Sequence, residues 1–387
     1  MLNLKRQPSG LDEQGSAPLG NSGPTAVMSA PHSSKRSAGE SARPAVFLKD
    51  VWKIFGYRGA EAFKAMRDEG LSKADVMRRF DSVVGIQGVS LEVQAGEIFC
   101  IMGLSGSGKS TLIRHINALV MPTAGNVMVN GAEVTTMSPR QIRALRAEQI
   151  SMVFQNFALL PHRTVLQNIS LGLEIKGLSI ADRAERANKA LIQVGLQGWE
   201  HKYPEQLSGG MQQRVGLARA MAGEPNIMLM DEPFSALDPL IRRQLQDEFK
   251  RLNEGMHTTT VFVTHDLEEA VRIGHRIAIM KDGAMIQVGT PEEILLRPAD
   301  SYVADFTSNI SRSRVISAGA LLEPLESYEP SDLEGAPLAE KTTILGRLVQ
   351  LAVETGKPVV VVDEQRKPIG VVGRSQMLKV MSGEALQ

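Results

Sequence analysis

The stretch "GLSGSGKST", residues 103–111, follows the apolar run "EIFCIM" at 97–102 and leads into "LIRHINALV" at 112–120. The apolar run predicts a buried strand and the later residues an amphipathic helix, so the glycines lie in a strand-to-helix turn. Glycines let backbone N–H groups approach phosphate oxygens, and the helix N-terminus adds its positive end. The spacing G-x-x-x-x-G-K-[ST] therefore predicts a phosphate-binding loop.

Every residue of this stretch is a candidate ligand of a nucleotide. Lys109 would reach the β- and γ-phosphates and Ser110 would bind Mg²⁺. The full set of candidates is Gly103, Leu104, Ser105, Gly106, Ser107, Gly108, Lys109, Ser110 and Thr111.

Around this loop, short apolar stretches alternate with amphipathic ones, which predicts an α/β fold with a mostly parallel sheet. The chain has 387 residues, which suits one large domain and a smaller one. Its formal charge is zero, which argues against a nucleic-acid binder. No apolar run approaches the roughly 18 residues that a membrane span needs. The single cysteine, Cys100, cannot form an internal disulfide.

A nucleotide-hydrolysing site also needs acids at the end of a second buried strand. Asp231 follows the apolar run "NIMLM" at 226–230, and Glu232 comes next. Asp231 is thus the candidate for holding the metal, and Glu232 for taking a proton from the attacking water.

A second pair of glycines occurs in "LSGGMQQR", residues 207–214. Together with the loop and the acids, this stretch resembles the signature of the ATP-binding-cassette (ABC) ATPases. The resemblance covers roughly residues 45–300. It implies a RecA-like core, an antiparallel β subdomain and a helical subdomain at about 160–224. It also implies that Ser208, Gly209 and Gly210 face the γ-phosphate of ATP bound by another subunit. The chain has one copy of each motif, so it is expected to dimerise with itself or with a relative, and a homodimer is our prediction.

Four further residues match motifs of that family. Gln155 in "VFQNF" corresponds to the glutamine that contacts Mg²⁺ and the attacking water. Asp238 ends the "SALD" of the D-loop. His265 in "VTHD" corresponds to the histidine that contacts the γ-phosphate. Phe55 in "KIFG" corresponds to the aromatic residue that stacks on adenine, with Trp52 and Tyr57 as alternatives.

The segment 57–80, between the aromatic residue and the next strand, is predicted as a helical insertion. Together with "MVFQNFALLPHRTVLQNI" at 152–169 it resembles the subunits that energise importers of glycine betaine, proline betaine and choline. That resemblance implies two transmembrane permease subunits as partners, a separate substrate-binding protein, and a peripheral location on the cytoplasmic face of the plasma membrane. It implies no nucleic-acid partner.

The remaining boundaries follow from composition. Residues 1–43, rich in Ser, Gly, Pro and Ala, are predicted to be a disordered tail. The ATPase domain is expected at 44–300 and an acidic, proline-containing linker at 301–340. Residues 341–387 read helix–strand–turn–strand–helix and resemble a single half of a CBS (cystathionine-β-synthase-type) module. Such a half-module could sense ionic strength, lipid or nucleotide, or have lost its function.

Three other functions compete with this interpretation. One is an ABC importer for another small solute, such as an amino acid or a sulfonate. The second is a soluble ABC ATPase of DNA repair or translation, which would carry two cassettes or a long coiled coil, and neither is present. The third is a regulatory protein that binds nucleotide only through its tail, against which the complete set of motifs argues.

Overall fold

The computed structural model describes residues 43–155 and 158–383. The predicted disordered tail, residues 1–43, lies outside the described residues apart from Arg43. In the described part of the chain, no helix combines the length and the apolar character needed to cross a bilayer.

Strands and helices alternate along most of the chain. The strands are β1 (Val46–Phe55), β2 (Val83–Val93), β3 (Ile98–Met102), β4 (Ala124–Val129), β5 (Ala132–Glu133), β6 (Ile150–Val153), β7 (Ile227–Asp231), β8 (Thr259–Thr264), β9 (Arg276–Lys281), β10 (Ala284–Gly289), β11 (Leu338–Glu340), β12 (Val359–Val362) and β13 (Pro368–Val372). The helices are α1 (Gly59–Glu69), α2 (Lys73–Phe80), α3 (Lys109–Ile116), α4 (Pro139–Glu148), α5 (Val165–Ile175), α6 (Ile180–Gln193), α7 (Gly209–Met221), α8 (Pro239–Met256), α9 (Leu267–Ile273), α10 (Pro291–Leu296), α11 (Ser301–Thr307), α12 (Pro330–Leu333), α13 (Leu345–Thr355) and α14 (Arg374–Ser382).

The central sheet has six strands in the order β10-β9-β3-β8-β7-β6. Five of them are parallel, and β10 pairs antiparallel with β9 at one edge. The inner strands are buried on both faces, which is why they read as continuous apolar runs. Because the strands are parallel, the residues that follow β3, β7 and β8 lie at the same edge of the sheet, where ligands bind in open α/β sheets.

The two faces of this sheet pack on different elements. Ile98, Cys100 and Met102 of β3 belong to a core shared with α5–α9. Phe99 and Ile101 face a second core, which contains α3 and an antiparallel sheet of order β2-β1-β4-β5. Because successive side chains of β3 point to opposite faces of the sheet, both cores pack against the strand that precedes the phosphate loop.

Three helices, α5, α6 and α7, pack together within the predicted helical subdomain at about 160–224. The predicted insertion at 57–80 contains α1 and α2, which form a small core with Ile54 of β1 and Val84 of β2. The Ser72 hydroxyl caps α2 and the Asp75 carboxylate accepts the Ser72 N–H, a reciprocal arrangement that fixes where this helix begins.

The C-terminal part of the chain differs from the predicted linker at 301–340. That segment contains α11, short 3₁₀ turns, α12 and β11, which pairs parallel with β12. Ile316, Leu321 and Ala339 are buried in one core with α13, β12, β13 and α14. A few buried apolar side chains anchor this acidic segment, so residues that composition assigned to a linker belong to a folded C-terminal unit.

The same core reaches into the predicted ATPase domain. Leu295 and Leu296 of α10 pack in it, and the Glu292 carboxylate accepts a 2.7 Å hydrogen bond from the Ser317 N–H. The C-terminal unit is therefore anchored on α10, N-terminal to the boundary at residue 300 that the sequence suggests.

Candidate functional site

The phosphate loop connects β3 to α3, and two of its glycines are required by close contacts. A Cβ atom on Gly103 would lie 2.3 Å from the Met280 carbonyl oxygen, and one on Gly108 would lie 2.6 Å from that of Gly85. Both residues also have positive φ, 153° and 99°. Leu104, Ser105, Gly106 and Ser107 lie between them, and Thr111 lies in the first turn of α3.

Lys109 lies at the first position of α3 and points back into the loop. Its Nζ donates to the carbonyl oxygens of Gly103 and Leu104, at 2.9 and 3.0 Å, and lies 3.8 Å from Glu232 Oε1. Burial lowers the pKa of this amine, and the carboxylates of Glu232 and Asp231 act in the opposite direction. The ammonium group is thus held in the concavity of the loop by weak carbonyl acceptors, which phosphate oxygens can replace.

Ser110 and Asp231 meet at this edge of the sheet. The Ser110 hydroxyl donates to Asp231 Oδ1 at 2.7 Å, and Arg114 donates to Asp231 Oδ2 at 3.3 Å. Hydroxyl and carboxylate oxygens are the ligands that Mg²⁺ prefers, together with substrate phosphates and water. Within residues 43–155 and 158–383, no cluster of three or more acids, histidines or cysteines forms a metal site by itself. A magnesium ion here would depend on the nucleotide for part of its coordination.

Glu232 and His265 are also in contact. His265 Nδ1 lies 2.9 Å from Glu232 Oε2. Glu232 has a positive φ of 48° and its backbone N–H donates to the Val263 carbonyl oxygen at 3.0 Å. A left-handed conformation of a glutamate costs free energy and is often found at functional sites. Here it turns the side chain out of β7 toward the end of β8.

Gln155, the predicted contact of the metal, follows β6. Its Nε2 lies 3.5 Å from Ser235 Oγ, and the Ser235 hydroxyl donates to the Glu232 carbonyl oxygen at 3.0 Å. Gln155 thus reaches the segment that carries Glu232, where its side-chain amide contacts Ser235 and not Ser110 or Asp231.

The signature residues lie at the exposed start of α7. The Ser208 hydroxyl caps this helix and accepts the Met211 N–H at 3.3 Å. Gly210 packs tightly on α8, since a Cβ atom there would lie 2.8 Å from Ile241 Cγ2. Gly209 is exposed beside Ser208. The exposed cap leaves backbone N–H groups of the helix N-terminus available at the surface, where a second subunit can bring a phosphate.

Asp238 caps α8 by accepting hydrogen bonds from the N–H groups of Leu240 and Ile241, both at 3.1 Å.

Phe55 is the last residue of β1, and 41% of its surface is exposed. Its ring lies against Gly85, where a Cβ atom would be 2.7 Å from Phe55 Cε2. Of the two alternatives for stacking on adenine, Trp52 packs edge-to-face on Phe63 at 5.5 Å, and Tyr57 is fully exposed.

One residue that the sequence did not suggest joins two parts of the site. Arg242 on α8 donates to the carbonyl oxygens of Ser235 and Leu237, at 3.4 and 3.0 Å, and lies 3.8 Å from Asp266, which follows His265. It lies one helical turn after Asp238. A residue four positions after a helix N-cap lies on the same face as the cap, so the spacing of Arg242 from Asp238 is the sequence signal that could have identified it.

Comparisons with known proteins identify chains that are similar to this one. The family model described as "ABC transporter" matches residues 86–235. The glycine betaine transport ATP-binding protein OpuAA of Bacillus subtilis (strain 168) is 45% identical over 337 residues, 87% of this chain and 78% of that protein. The glycine betaine/proline betaine transport system ATP-binding protein ProV of Escherichia coli (strain K12) is 51% identical over 271 residues, 70% of this chain and 68% of that protein.

Among solved structures, a similar one is the dimeric post-hydrolysis state of the ATP-binding cassette MJ0796 bound to ADP and Pi. It is 34% identical, with a TM-score of 0.54, and the match covers 64% of this chain and 98% of the cassette. The likeness extends over essentially the whole cassette and supports a P-loop ATPase fold for this chain.

Proposed function

We propose that this chain, which belongs to the ATP-binding proteins of ABC transporters, is the ATP-hydrolysing subunit of an importer for quaternary amines such as glycine betaine, proline betaine and choline. The observation that carries the proposal is the extent of the likeness. The match to the glycine betaine transport protein covers 87% of the chain and so extends beyond residues 86–235, which the family model matches.

In this proposal the triphosphate of ATP lies over the phosphate loop. Its oxygens replace the carbonyl oxygens that accept hydrogen bonds from Lys109 in the structure. Backbone N–H groups of residues 103–111 donate to phosphate oxygens, and adenine stacks on the exposed ring of Phe55. Supporting this, the Ser107 hydroxyl is buried in the loop without a hydrogen-bond partner in the described part of the chain, so a ligand oxygen could satisfy it.

Ser110 and Asp231 would hold Mg²⁺, which supplies positive charge next to the phosphate oxygens. Gln155 would join them by releasing its contact with Ser235. The 2.7 Å hydrogen bond between Ser110 and Asp231 supports this role, since it brings two oxygen ligands to the start of α3.

Hydrolysis would begin when water attacks the γ-phosphorus and gives up its proton to the Glu232 carboxylate, leaving ADP and inorganic phosphate. The contact with His265 keeps that carboxylate at the edge of the sheet, and the imidazole would contact the γ-phosphate. Ser208 and the following glycines of a second copy would close the site from the other side. We expect a homodimer, since Ser208 and Gly209 are exposed and the chain has one set of each motif.

A groove near the Gln155 segment is our candidate for docking of the permease. It has a volume of about 530 Å³ and is lined by Phe154, Ala158, Ile175, Arg219 and neighbours from α4, α5 and α7. Ile175 is 71% exposed and Phe154, next to Gln155, is 37% exposed. An apolar surface of this kind fits a short helix of a membrane subunit. Each copy of the chain would dock through this groove on one of two permease subunits and would thus lie on the cytoplasmic face of the membrane. A separate binding protein would select the solute.

The C-terminal unit is proposed to be a CBS-like half-module. The order of α13, β12, β13 and α14 supports this assignment, and the preceding β11 adds a third strand to its sheet.

The proposal is tested by uptake in proteoliposomes that contain this chain, its permease subunits and the cognate binding protein. ATP-dependent uptake of labelled glycine betaine is expected, with competition by proline betaine or choline and loss of uptake in Glu232→Gln. Uptake of an amino acid or a sulfonate in preference to every quaternary amine would contradict the substrate assignment and leave the ATPase assignment intact.

A further inference from the structure

The end of β9 and the turn that leads to β10, residues 280–283, support the phosphate loop from behind. At one end of the loop, the Met280 carbonyl oxygen lies against Gly103, where a Cβ atom would be 2.3 Å away. At the other end, the Gly283 N–H donates to the Ser107 carbonyl oxygen at 3.0 Å. We name residues 280–283 the supporting turn. Because it contacts the loop at both ends, its position affects how the backbone N–H groups are presented to phosphate.

The insertion contacts this turn from one side. Lys73, the first residue of α2, donates through Nζ to the Asp282 carbonyl oxygen. The capping box of α2 and the packing of Val76 and Phe80 in the small core fix the backbone from which this lysine extends. Lys73 is half-buried at this contact. Its burial lowers the pKa of the amine, and the Asp282 carboxylate acts in the opposite direction.

The C-terminal extension contacts the same turn from another side. The Tyr302 hydroxyl on α11 donates to the Met280 carbonyl oxygen at 3.4 Å, and Lys281 Nζ lies 4.5 Å from the centre of the Tyr302 ring. Burial raises the pKa of this hydroxyl, and the nearby backbone of Leu104, a residue of the phosphate loop, acts in the opposite direction. Phe306 holds the ring edge-to-face at 4.9 Å.

Tyr302 is also close to the anchor of the C-terminal unit. Helix α11 follows α10 directly and packs against it, and Leu295 and Leu296 of α10 are part of the C-terminal core. A displacement of that unit would therefore move the two helices that position Tyr302.

We propose that Lys73 and Tyr302 are positioning residues that hold the supporting turn against the phosphate loop, so that the insertion and the C-terminal unit both set the affinity for nucleotide through one shared turn. The inference requires only that the loop binds nucleotide, and it stands whatever solute the transporter carries. The insertion and the C-terminal unit would thereby act on the nucleotide site through the same turn.

The test measures ADP affinity of the isolated full chain by titration with a fluorescent ADP analogue, for Lys73→Met, Tyr302→Phe and the double variant. Loss of one hydrogen bond predicts a rise of about 2- to 10-fold in the Kd of each single variant. The KM for ATP should rise by a similar factor, while kcat stays the same, because no group that touches the reacting atoms has changed. Since both residues act on one turn, the double variant should show less than the product of the two single effects.

Matched controls are Lys64→Met, an exposed lysine of α1, and Tyr328→Phe, which removes a hydroxyl bonded to Glu323 within the C-terminal unit. Both should retain the original Kd. Lys73→Arg keeps a donor and should largely restore affinity, which separates positioning from a loss of folding. An unchanged Kd in both single variants, an equal rise in the controls, or a fully multiplicative double variant would overturn the inference.

Discussion

The Glu232 carboxylate and the His265 imidazole lie 2.9 Å apart although they are 33 residues apart in the chain. Glu232 follows β7 and His265 follows β8, and these parallel strands are neighbours with Asp231 opposite Val263. The pairing register therefore brings the two side chains together at the edge of the sheet where Lys109 and Ser110 begin α3.

Replacement of Glu232 tests its role as the base. Glu232→Gln keeps the shape of the side chain but cannot accept the proton of water, so ATP should still bind while phosphate release falls by about 10²- to 10⁴-fold. The variant should also accumulate as an ATP-bound dimer in light scattering. Glu268→Gln, an exposed glutamate on α9 paired with Arg243, is the control and should hydrolyse ATP normally. Residual hydrolysis close to the original rate in Glu232→Gln would reject the assignment.

Mixing two inactive variants tests whether each site is built from two subunits. Lys109→Ala removes the phosphate contact of one subunit and Ser208→Arg blocks the contribution of the other, so each homodimer should be inactive. A heterodimer purified with two different tags contains one site with both residues intact, and we expect it to regain ATPase activity. Because Ser208 also caps α7, its loss costs about 1 kcal/mol of stability, which thermal unfolding of the variant measures. A purified heterodimer without activity would argue against composite sites.

The aromatic residue at the adenine is tested by substitution at three positions. Phe55→Ala should weaken ATP binding by roughly 5- to 150-fold, since stacking on a base is worth about 1–3 kcal/mol, and Phe55→Tyr should bind as before. Trp52→Ala and Tyr57→Ala are compared in the same titration. A larger loss in either of them than in Phe55→Ala would transfer the stacking role to that residue.

Glu269 gives the unfolding free energy a predictable pH dependence. Its carboxylate is buried between the Thr264 hydroxyl and the Gln246 amide, and burial raises its pKa above the ordinary value of 4.5. In the window between 4.5 and the raised pKa, the folded chain binds more protons than the unfolded chain. The wild type therefore loses stability as the pH rises through this window.

The neutral variant Glu269→Gln lacks this loss, so its urea midpoint relative to wild type should increase with pH across the window and then level off. The exposed Glu268→Gln should show no such trend. A relative midpoint of Glu269→Gln that decreases with pH would show that hydrogen bonding, and not burial, dominates at this carboxyl.

The parts of the predicted site that lie within one segment can be read from the sequence. The phosphate loop, the acids after β7 and the signature glycines each have a local spacing that predicts contact with a phosphate or a metal. Sequence reasoning misplaced the C-terminal boundary, because Ile316, Leu321 and Ala339 are too scattered among acids and prolines to show a periodic pattern. It also did not suggest Arg242, whose contacts join the segments after β7 and β8.

The amino-acid sequence by itself determined the α/β alternation, the phosphate-binding loop and the chemical type of each candidate site residue, because these depend on neighbours along the chain. Only the tertiary structure decided that Gln155 contacts Ser235, that Glu232 meets His265, and that Lys73 and Tyr302 converge on one turn behind the loop. The physical reason is that such contacts depend on strand order and helix packing, which arise when apolar faces from distant segments are buried together.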